Sequence, residues 1–389
     1  MFMAPDVVVV GGGPVGCRVA EGISPYHETL VVEEHRSPGR PVQCAGLVTP
    51  RVVEMVRGRD ATLNELRGAE IHFPGGEVLE IRSPEVKAEV VDRECFDGIC
   101  MDRAVDAGAE YLTEHRFRGL SIGSEGANIK LETPSGRLDI NASLVVGADG
   151  YKSGVAGAVG LGKSRELVRG IEVDVSSRMD DQDMVQVFLG SDIAPGFFAW
   201  TIPCGDFTRA GLCVSNGAPN RFLGELLKRS GLDGGRRIRT MAGVIPLGTI
   251  QRSYGERVMV VGDAAGQAKP ISGGGVYTGM VAADHASRTA CLALDEDDAS
   301  ARSLSRYEKD WKEDIGKELD RGYRLRKVFL RMTDSKLDDL AKVLKRPQVV
   351  EILNKGDIDH PTLLAPKILR MFPSLIRFSP QVLGSFLTR

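Results

Sequence analysis

The run DVVVVGGGPVGCRVAEG, residues 6–22, constrains this chain more than any other stretch. A short β-rich segment ends in glycines and leads at once into a helical pattern. The physical reading is a strand, a tight turn, and a helix whose free N–H groups face a pyrophosphate. Gly11 permits the turn, Gly13 lets the phosphates approach, and Gly16 allows the helix to pack closely on the strand. A glycine-rich turn without a ligand is the plainer alternative. The next segment, ETLVVEE, argues against that alternative, because a second short strand runs into Glu33, 17 residues past Gly16. A carboxylate there accepts both hydroxyls of an adenosine ribose and repels a 2′-phosphate, which favours a dinucleotide and disfavours NADP.

The first motif does not separate NAD from FAD, but the later chain bears on the question. ASLVVGADGYKSGV (142–155) is a strand ending in Gly147-Ala-Asp149-Gly150. VMVVGDAAGQAKPISGGG (258–275) is another, ending in Gly262-Asp263. Roughly 100 residues of different texture separate them, with the short alternating or continuous apolar runs of a mixed sheet. The pattern reads as one nucleotide domain interrupted by another domain. The expected class is α/β (α+β overall). Residues 1–160 and 256–300 form the Rossmann-like part, with small sheet elements around 66–92. Residues 161–255 form a substrate-binding sheet domain and residues 301–389 a helical region.

Composition sets outer bounds. A chain of 389 residues buries a full core, and a net charge of −3 gives no reason to expect nucleic acid as a partner. Gly is over-represented, at 46 against 19 Pro without a collagen-like period, which implies many tight turns and close backbone approaches. Seven Cys without a CxxC argue against a disulfide scaffold and for a reducing, cytoplasmic setting. MFMAPD lacks a basic region ahead of the first apolar run and reads as the lead into a strand, not a signal peptide. No 18-residue apolar stretch occurs, so no spanning helix is expected.

The three glycine-bearing segments GGGPVG, GADG and VGDAAG resemble those of the FAD-dependent hydroxylase superfamily. That resemblance implies FAD, with Asp263 hydrogen-bonded to the ribityl chain and Pro270, Gly273, Gly274, Gly275 and Val276 along the isoalloxazine edge. Four stretches are similar, more closely, to the geranylgeranyl reductase family of archaeal lipid enzymes. RPVQCAGLVTP (40–50) resembles its Pro-Val-x-Cys-Gly segment, with Ala45 in place of the usual Gly, and this puts Cys44 and Ala45 near the flavin. VVDRECFD (90–97) resembles Glu-Arg-x-x-Phe-Asp and puts Arg93 against the cofactor. APGFFAWTIP (194–203) resembles Pro-x-x-Tyr-x-Trp-x-Phe-Pro, with Phe198 for Tyr and Ile202 for Phe, and implies a substrate cavity lined by Phe198, Trp200 and Pro203. KPISGGGVYTG completes the set.

The resemblance implies an ene-reductase that saturates isoprenoid C=C bonds of a long membrane lipid precursor. Cys44 is then the candidate proton donor, with plain packing on the flavin, and water as the acid, left as the alternative. None of the six His falls within a recognised motif, and no metal site is expected. The electron donor (ferredoxin, reduced deazaflavin or a nicotinamide) leaves no trace in the sequence. Residues 304–332 read as a long amphipathic helix with a break near Gly322. The tail from 361 carries Lys367, Arg370, Arg377 and Arg389 with no acid, which reads either as short helices closing the back of the protein or as a surface resting on the inner face of an anionic membrane. The rivals on the same scaffold are a monooxygenase or halogenase of an apolar or aromatic substrate. A non-catalytic flavoprotein or lipid carrier is a rival of another class.

Overall fold

The computed structural model describes residues 4–124, 126–373 and 375. Its first sheet runs in the order Tyr254–Gly255, Val258–Val260, Leu144–Gly147, Val7–Val10, Thr29–Val32 and Glu110–Leu112. All of its pairings are parallel except that of Tyr254–Gly255. The register aligns Val10 with Val32 on one side and Gly147 on the other, and Gly147 with Val260. The segments after these strands, which carry Gly11, Glu33, Asp149 and Asp263, therefore leave the sheet at one end. In an open parallel sheet that end is where ligands bind.

The four Val of the first strand are buried on both faces. Val7 and Val9 pack under the helices Pro14–Ile23 and Val276–Asp295. Val8 and Val10 pack under an antiparallel meander, Arg116–Ile122, Ala127–Thr133 and Gly136–Ala142. A strand covered on both sides gains nothing from alternation, which is why this one reads as an uninterrupted apolar run.

The intervening residues build a seven-stranded mixed sheet. Its order is Arg237–Leu247, Glu166–Val175, Thr208–Val214, Ala199–Pro203, Met184–Phe188, Gly68–His72 and Val78–Arg82. The last two strands, grouped by sequence with the nucleotide-binding part, are hydrogen-bonded into this second sheet through a parallel pairing of Gly68–His72 with Met184–Phe188. One face of the sheet is sealed by the helix Asn220–Arg229 over Val173, Val175, Ala210 and Leu212. The other face turns toward the first unit. There the Gln43 carbonyl lies 2.5 Å from where a side-chain carbon on Gly243 would stand, so the segment bearing Cys44 presses directly onto the sheet.

The helical region departs from expectation at Gly322. The helices Ala301–Trp311 and Lys317–Phe329 are joined without a break by a π-helical turn at Lys312–Gly316, and Gly322 lies inside the second helix. Its role is contact: a side chain there would stand 3.1 Å from Pro270. The irregularity falls at the π turn, a common form of local distortion in long helices. Arg326 of this helix is buried and binds Glu166, Ser215 and the Gly196 carbonyl, which ties the helix to the second sheet.

Candidate functional site

A cleft of about 280 Å³ opens at the shared end of the parallel strands. Gly13, Glu33, Cys44, Arg93 and Asp263, drawn from five separate stretches of sequence, line it together.

Gly11 holds φ at +100°, and a side chain there would stand 2.4 Å from the Ala148 carbonyl. Gly16 faces the Gly11 carbonyl at 1.9 Å by the same measure, so both glycines are required by the turn itself. Gly13 differs from both. As N-cap of the helix Pro14–Ile23 it has no protein atom within 4 Å of a would-be side chain, only the open cleft. The bare backbone and the free first-turn N–H groups of the helix form a cradle for an anionic group.

Glu33 follows the second strand. One carboxylate oxygen accepts the Gly12 N–H at 2.8 Å, and the other accepts the His35 N–H at 2.9 Å and meets His35 Nδ1 at 2.6 Å. A carboxylate offers about four lone-pair sites, so capacity remains for a ligand hydroxyl. His35 stands outside the recognised motifs and still reaches the cleft. It lies two residues past Glu33 and lines the same cleft, and only the turn after the strand brings it there.

Arg93 begins the helix Arg93–Asp106, whose N-cap Asp92 accepts the Cys95 N–H at 2.9 Å. It makes a two-pronged pair with Asp97, at 2.8 and 3.0 Å. Burial opposes the Arg93 charge, but Asp97 and then Cys44 outweigh it and the guanidinium stays charged. Burial pushes the Asp97 carboxyl up, with Arg93 acting against the shift. Asp263, in the turn Gly262–Ala265, is pushed up to about 6 by burial, again opposed by Arg93. Arg93 is thus the positive centre of the cleft, with Asp97, Asp263 and the Cys44 sulfur around it. Cys44 is half-buried, and its sulfur lies 3.5 Å from the Gly46 N–H. The Ala45 carbonyl accepts from Arg209 at 2.7 Å, and Arg209 is in turn held by Asp174 at 2.8 Å. Neither Asp97 nor Arg209 was singled out from sequence. A charged residue at the i+4 position of a helix beginning in Arg is the signal that marks Asp97.

The other expected residues distribute unevenly. Gly275 caps the helix Val276–Asp295, and a side chain on it would stand 3.0 Å from an Asp263 oxygen, so its bareness keeps Asp263 in place. Gly273 (φ +74°) packs instead toward Ile245 and Phe197, Gly274 toward Lys269 and Pro270 toward Gly322. The loop is braced by Gln267, which accepts the Gly262 N–H at 2.6 Å and donates to the Tyr307 hydroxyl. Phe198 and Trp200 are half-buried, in an edge contact of 5.9 Å, with Phe197 stacked behind Phe198 at 4.5 Å. Pro203 does not join them. Its odd offset from Trp200 in the strand Ala199–Pro203 points it to the opposite face, and its carbonyl accepts from Asn64.

Tested against FAD, the residues present fit. The cleft offers a bare cradle at a helix N-terminus, a carboxylate with spare acceptor capacity, a buried cation and a buried acid. Residues 4–218 match the family model described as FAD binding domain. The fold and the site therefore define an FAD-dependent oxidoreductase. The chain is 30% identical to digeranylgeranylglycerophospholipid reductase 2 of Methanothermobacter thermautotrophicus, over 98% of this chain and 100% of that protein. A geranylgeranyl bacteriochlorophyll reductase-like protein of Thermoplasma acidophilum superposes with a TM-score of 0.82 at 24% identity, covering 96% and 99% of the two chains. An anhydrotetracycline hydroxylase of Streptomyces rimosus gives 0.68 at 20% identity, covering 90% and 75%, so the fold alone spans more than one chemistry. The chain belongs to the geranylgeranyl reductase family, within the FAD-binding oxidoreductase superfamily.

Proposed function

We propose that this protein reduces isolated C=C bonds in the geranylgeranyl chains of an archaeal-type membrane lipid precursor. The observation that carries the reading is the position of Cys44, half-buried in the cleft beside Arg93 on a segment pressed against the second sheet. An unpolarised alkene accepts hydride only if a proton arrives at the neighbouring carbon. When bound, FAD supplies the two-electron reducing chemistry, as a hydride to one alkene carbon. Cys44 gives the proton: its S–H bond breaks as the second C–H bond forms, and Arg93 steadies the thiolate left behind. Phe198 and Trp200 offer apolar surface to the chain being reduced.

The residues proposed to hold FAD are Gly11, Gly13 and Gly16 at the pyrophosphate, Glu33 at the ribose, Asp263 at the ribityl chain and Arg93 near the ring. Ala45, Pro270 and Gly273 to Val276 shape the loops around them. The division keeps residues 1–160 with 256–300, 161–255 and 301–389 as its units, except that residues 68–82, grouped with the first, lend two strands to the substrate sheet. An external reductant is required, of ferredoxin, deazaflavin or nicotinamide type. Peripheral contact with a membrane from the cytoplasmic side fits the lipid substrate. Among the described residues no helix is long and apolar enough to cross a membrane. Of the basic tail residues, Lys367 and Arg370 lie within the described chain, and Arg377 and Arg389 lie outside it.

The test is anaerobic. With the bound flavin chemically reduced, addition of digeranylgeranylglyceryl phospholipid restores the oxidised absorbance band as the lipid gains pairs of hydrogens. Flavin that stays reduced until air is admitted, with lipid bound, would transfer the protein to the oxygen-using branch. Cys44→Ser is expected to slow the lipid-dependent step by about 100-fold while retaining the flavin spectrum. Wild-type turnover in that variant would remove Cys44 from the acid role.

A further inference from the structure

The face of the second sheet beneath Cys44 carries a group that the reading above does not use. Gly170, Gly211 and Gly243 lie on three neighbouring strands, with Gly170 paired to Gly243 and Glu172 paired to Gly211. Over this bare strip stand Cys213 at Gly170, the Gln43 carbonyl at Gly243, and Glu172 with Trp200 at Gly211. Glu172 is 5% exposed, and neither of its carboxyl oxygens has a hydrogen-bond partner. Trp200, in register with Gly211 from the other side, closes over the same glycine. A side chain on Gly211 would stand 2.6 Å from Glu172 Cβ and 2.7 Å from the Trp200 ring. The Trp200 indole N–H is likewise buried without a hydrogen bond.

A carboxylate stripped of water and of hydrogen bonds is costly, and such a group keeps its proton instead. Burial pushes Glu172 up to about 7. Arg209, the Trp200 N–H and Arg239 pull it down, while Asp174 pushes with the burial. Asp174 already occupies Arg209 and Arg239, at 2.8 and 3.0 Å, so neither cation is free for Glu172. Cys213, on the same face, connects this corner to the cleft. Its sulfur stands 2.8 Å from where a side chain on Gly170 would begin, and Gly170 is paired with Gly243, over which the Gln43 carbonyl, next to Cys44, stands at 2.5 Å by the same measure.

We propose that Glu172 is the internal proton store of the reductase site, a neutral carboxylic acid that returns a proton to Cys44 after that thiol has protonated the alkene carbon. The Glu172 O–H bond breaks and a new S–H bond forms at Cys44, with the Cys213 thiol along the way. The carboxylate left behind takes its proton back from solvent, and no oxidant or reductant enters the step. The proposal rests on the ene-reductase reading and adds a positioning residue to it, one that acts through Cys44.

Two measurements on the FAD-loaded protein test it. Infrared difference spectra between about pH 5 and about pH 9 should show the carbonyl stretch of a protonated carboxylic acid that titrates in the wild type and is missing in Glu172→Gln. Anaerobic turnover on digeranylgeranylglyceryl phospholipid should fall about 10- to 100-fold in Glu172→Gln, with loss of the alkaline limb of the pH–rate profile, and Glu172→Asp should restore that limb in part. An unchanged infrared difference spectrum in Glu172→Gln shows an ionised side chain and overturns the proposal. A band that disappears while the pH–rate profile keeps its wild-type shape overturns it too, because a merely structural role moves the rate alone. If the lipid fails to reoxidise the reduced flavin of the wild type, the ene-reductase reading fails and the proton-return role falls with it. The infrared band separates that result from an ionised Glu172.

Discussion

Single residues in this protein divide into those the fold needs and those the ligand needs, and the glycines of the first turn make the division measurable. Gly16→Ala forces a carbon to within 1.9 Å of the Gly11 carbonyl and should cost at least about 3 kcal/mol by urea denaturation of the apoprotein. Gly13→Ala meets no protein atom within 4 Å, so the apoprotein should unfold at nearly the wild-type urea concentration while FAD retention drops sharply on gel filtration. Equal destabilisation by the two changes would show that Gly13 serves the fold. Glu172 makes a prediction of another kind. The folded protein holds its proton to about pH 7, whereas the unfolded chain releases it near 4.5, so between those values the folded state binds more protons. Its contribution is fully present below about pH 4.5 and is lost as pH rises through about 7, on the order of 3 kcal/mol in all. The stability of Glu172→Gln relative to wild type should therefore climb between these limits in urea titrations at successive pH. A difference independent of pH would place the wild-type carboxyl in its ionised form.

At the scale of elements, the parallel sheet was legible because each of its motifs announces its own local geometry. A Val run into Gly11, a strand into Glu33 and a strand into Asp263 each read correctly as strand followed by turn. The helix near residue 322 was not legible in the same way. Glycine in a helical pattern signals a break when only propensity is considered, yet here it accommodates Pro270 from another element, and no local pattern reports a distant neighbour. The strand from Ala199 shows the same limit, since Phe197 precedes it and so escapes the alternation that separates Trp200 from Pro203. Arg326 supplies the test at this scale. Replacing it by Met leaves Glu166 without its cation and the Ser215 hydroxyl without a donor, and leaves the Gly196 carbonyl only the bond from Ser215. The expected loss is about 3–5 kcal/mol, read by denaturation, with earlier hydrogen exchange in Lys317–Phe329.

Across the whole molecule, a buried cluster joins the far part of the helical region to the cleft, beyond the contacts of Tyr307 with Gln267 and of Gly322 with Pro270. Lys269, next to Pro270, donates to Asp359 at 2.9 Å and to the Ile358 carbonyl at 3.1 Å, and Asp359 also accepts from Thr49 and Arg51. The segment around Asp359 is thereby fastened both to the loop after Asp263 and to the start of the helix Pro50–Val56, a few residues beyond Cys44. Asp359→Ala strands a buried ammonium and should cost about 3–5 kcal/mol, with the lost protection from hydrogen exchange shared between residues 266–275 and 355–364. Loss confined to the second of these would show that the cluster does not couple the two regions.

The sequence by itself determined the glycine turn after the first strand, the carboxylate of Glu33 at the end of the second and the interrupted order of the two units, while Cys44 and Arg93 were pointed out by the resemblance to the reductase family. These are properties of local backbone geometry and of short motifs, and a strand–turn–helix carries its glycines wherever it is placed. The tertiary structure alone decided which of those residues meet. Parallel register brings Gly13, Glu33 and Asp263 to one end of a sheet, and the pressing of residues 43–45 onto Gly243 sets Cys44 over a second sheet. It alone decided the state of Glu172 as well. In the chain, IEVDV is an ordinary alternating strand with an acid at a polar position. Burial within the sheet, with Trp200 closing across Gly211, takes that acid away from the water that would keep it charged.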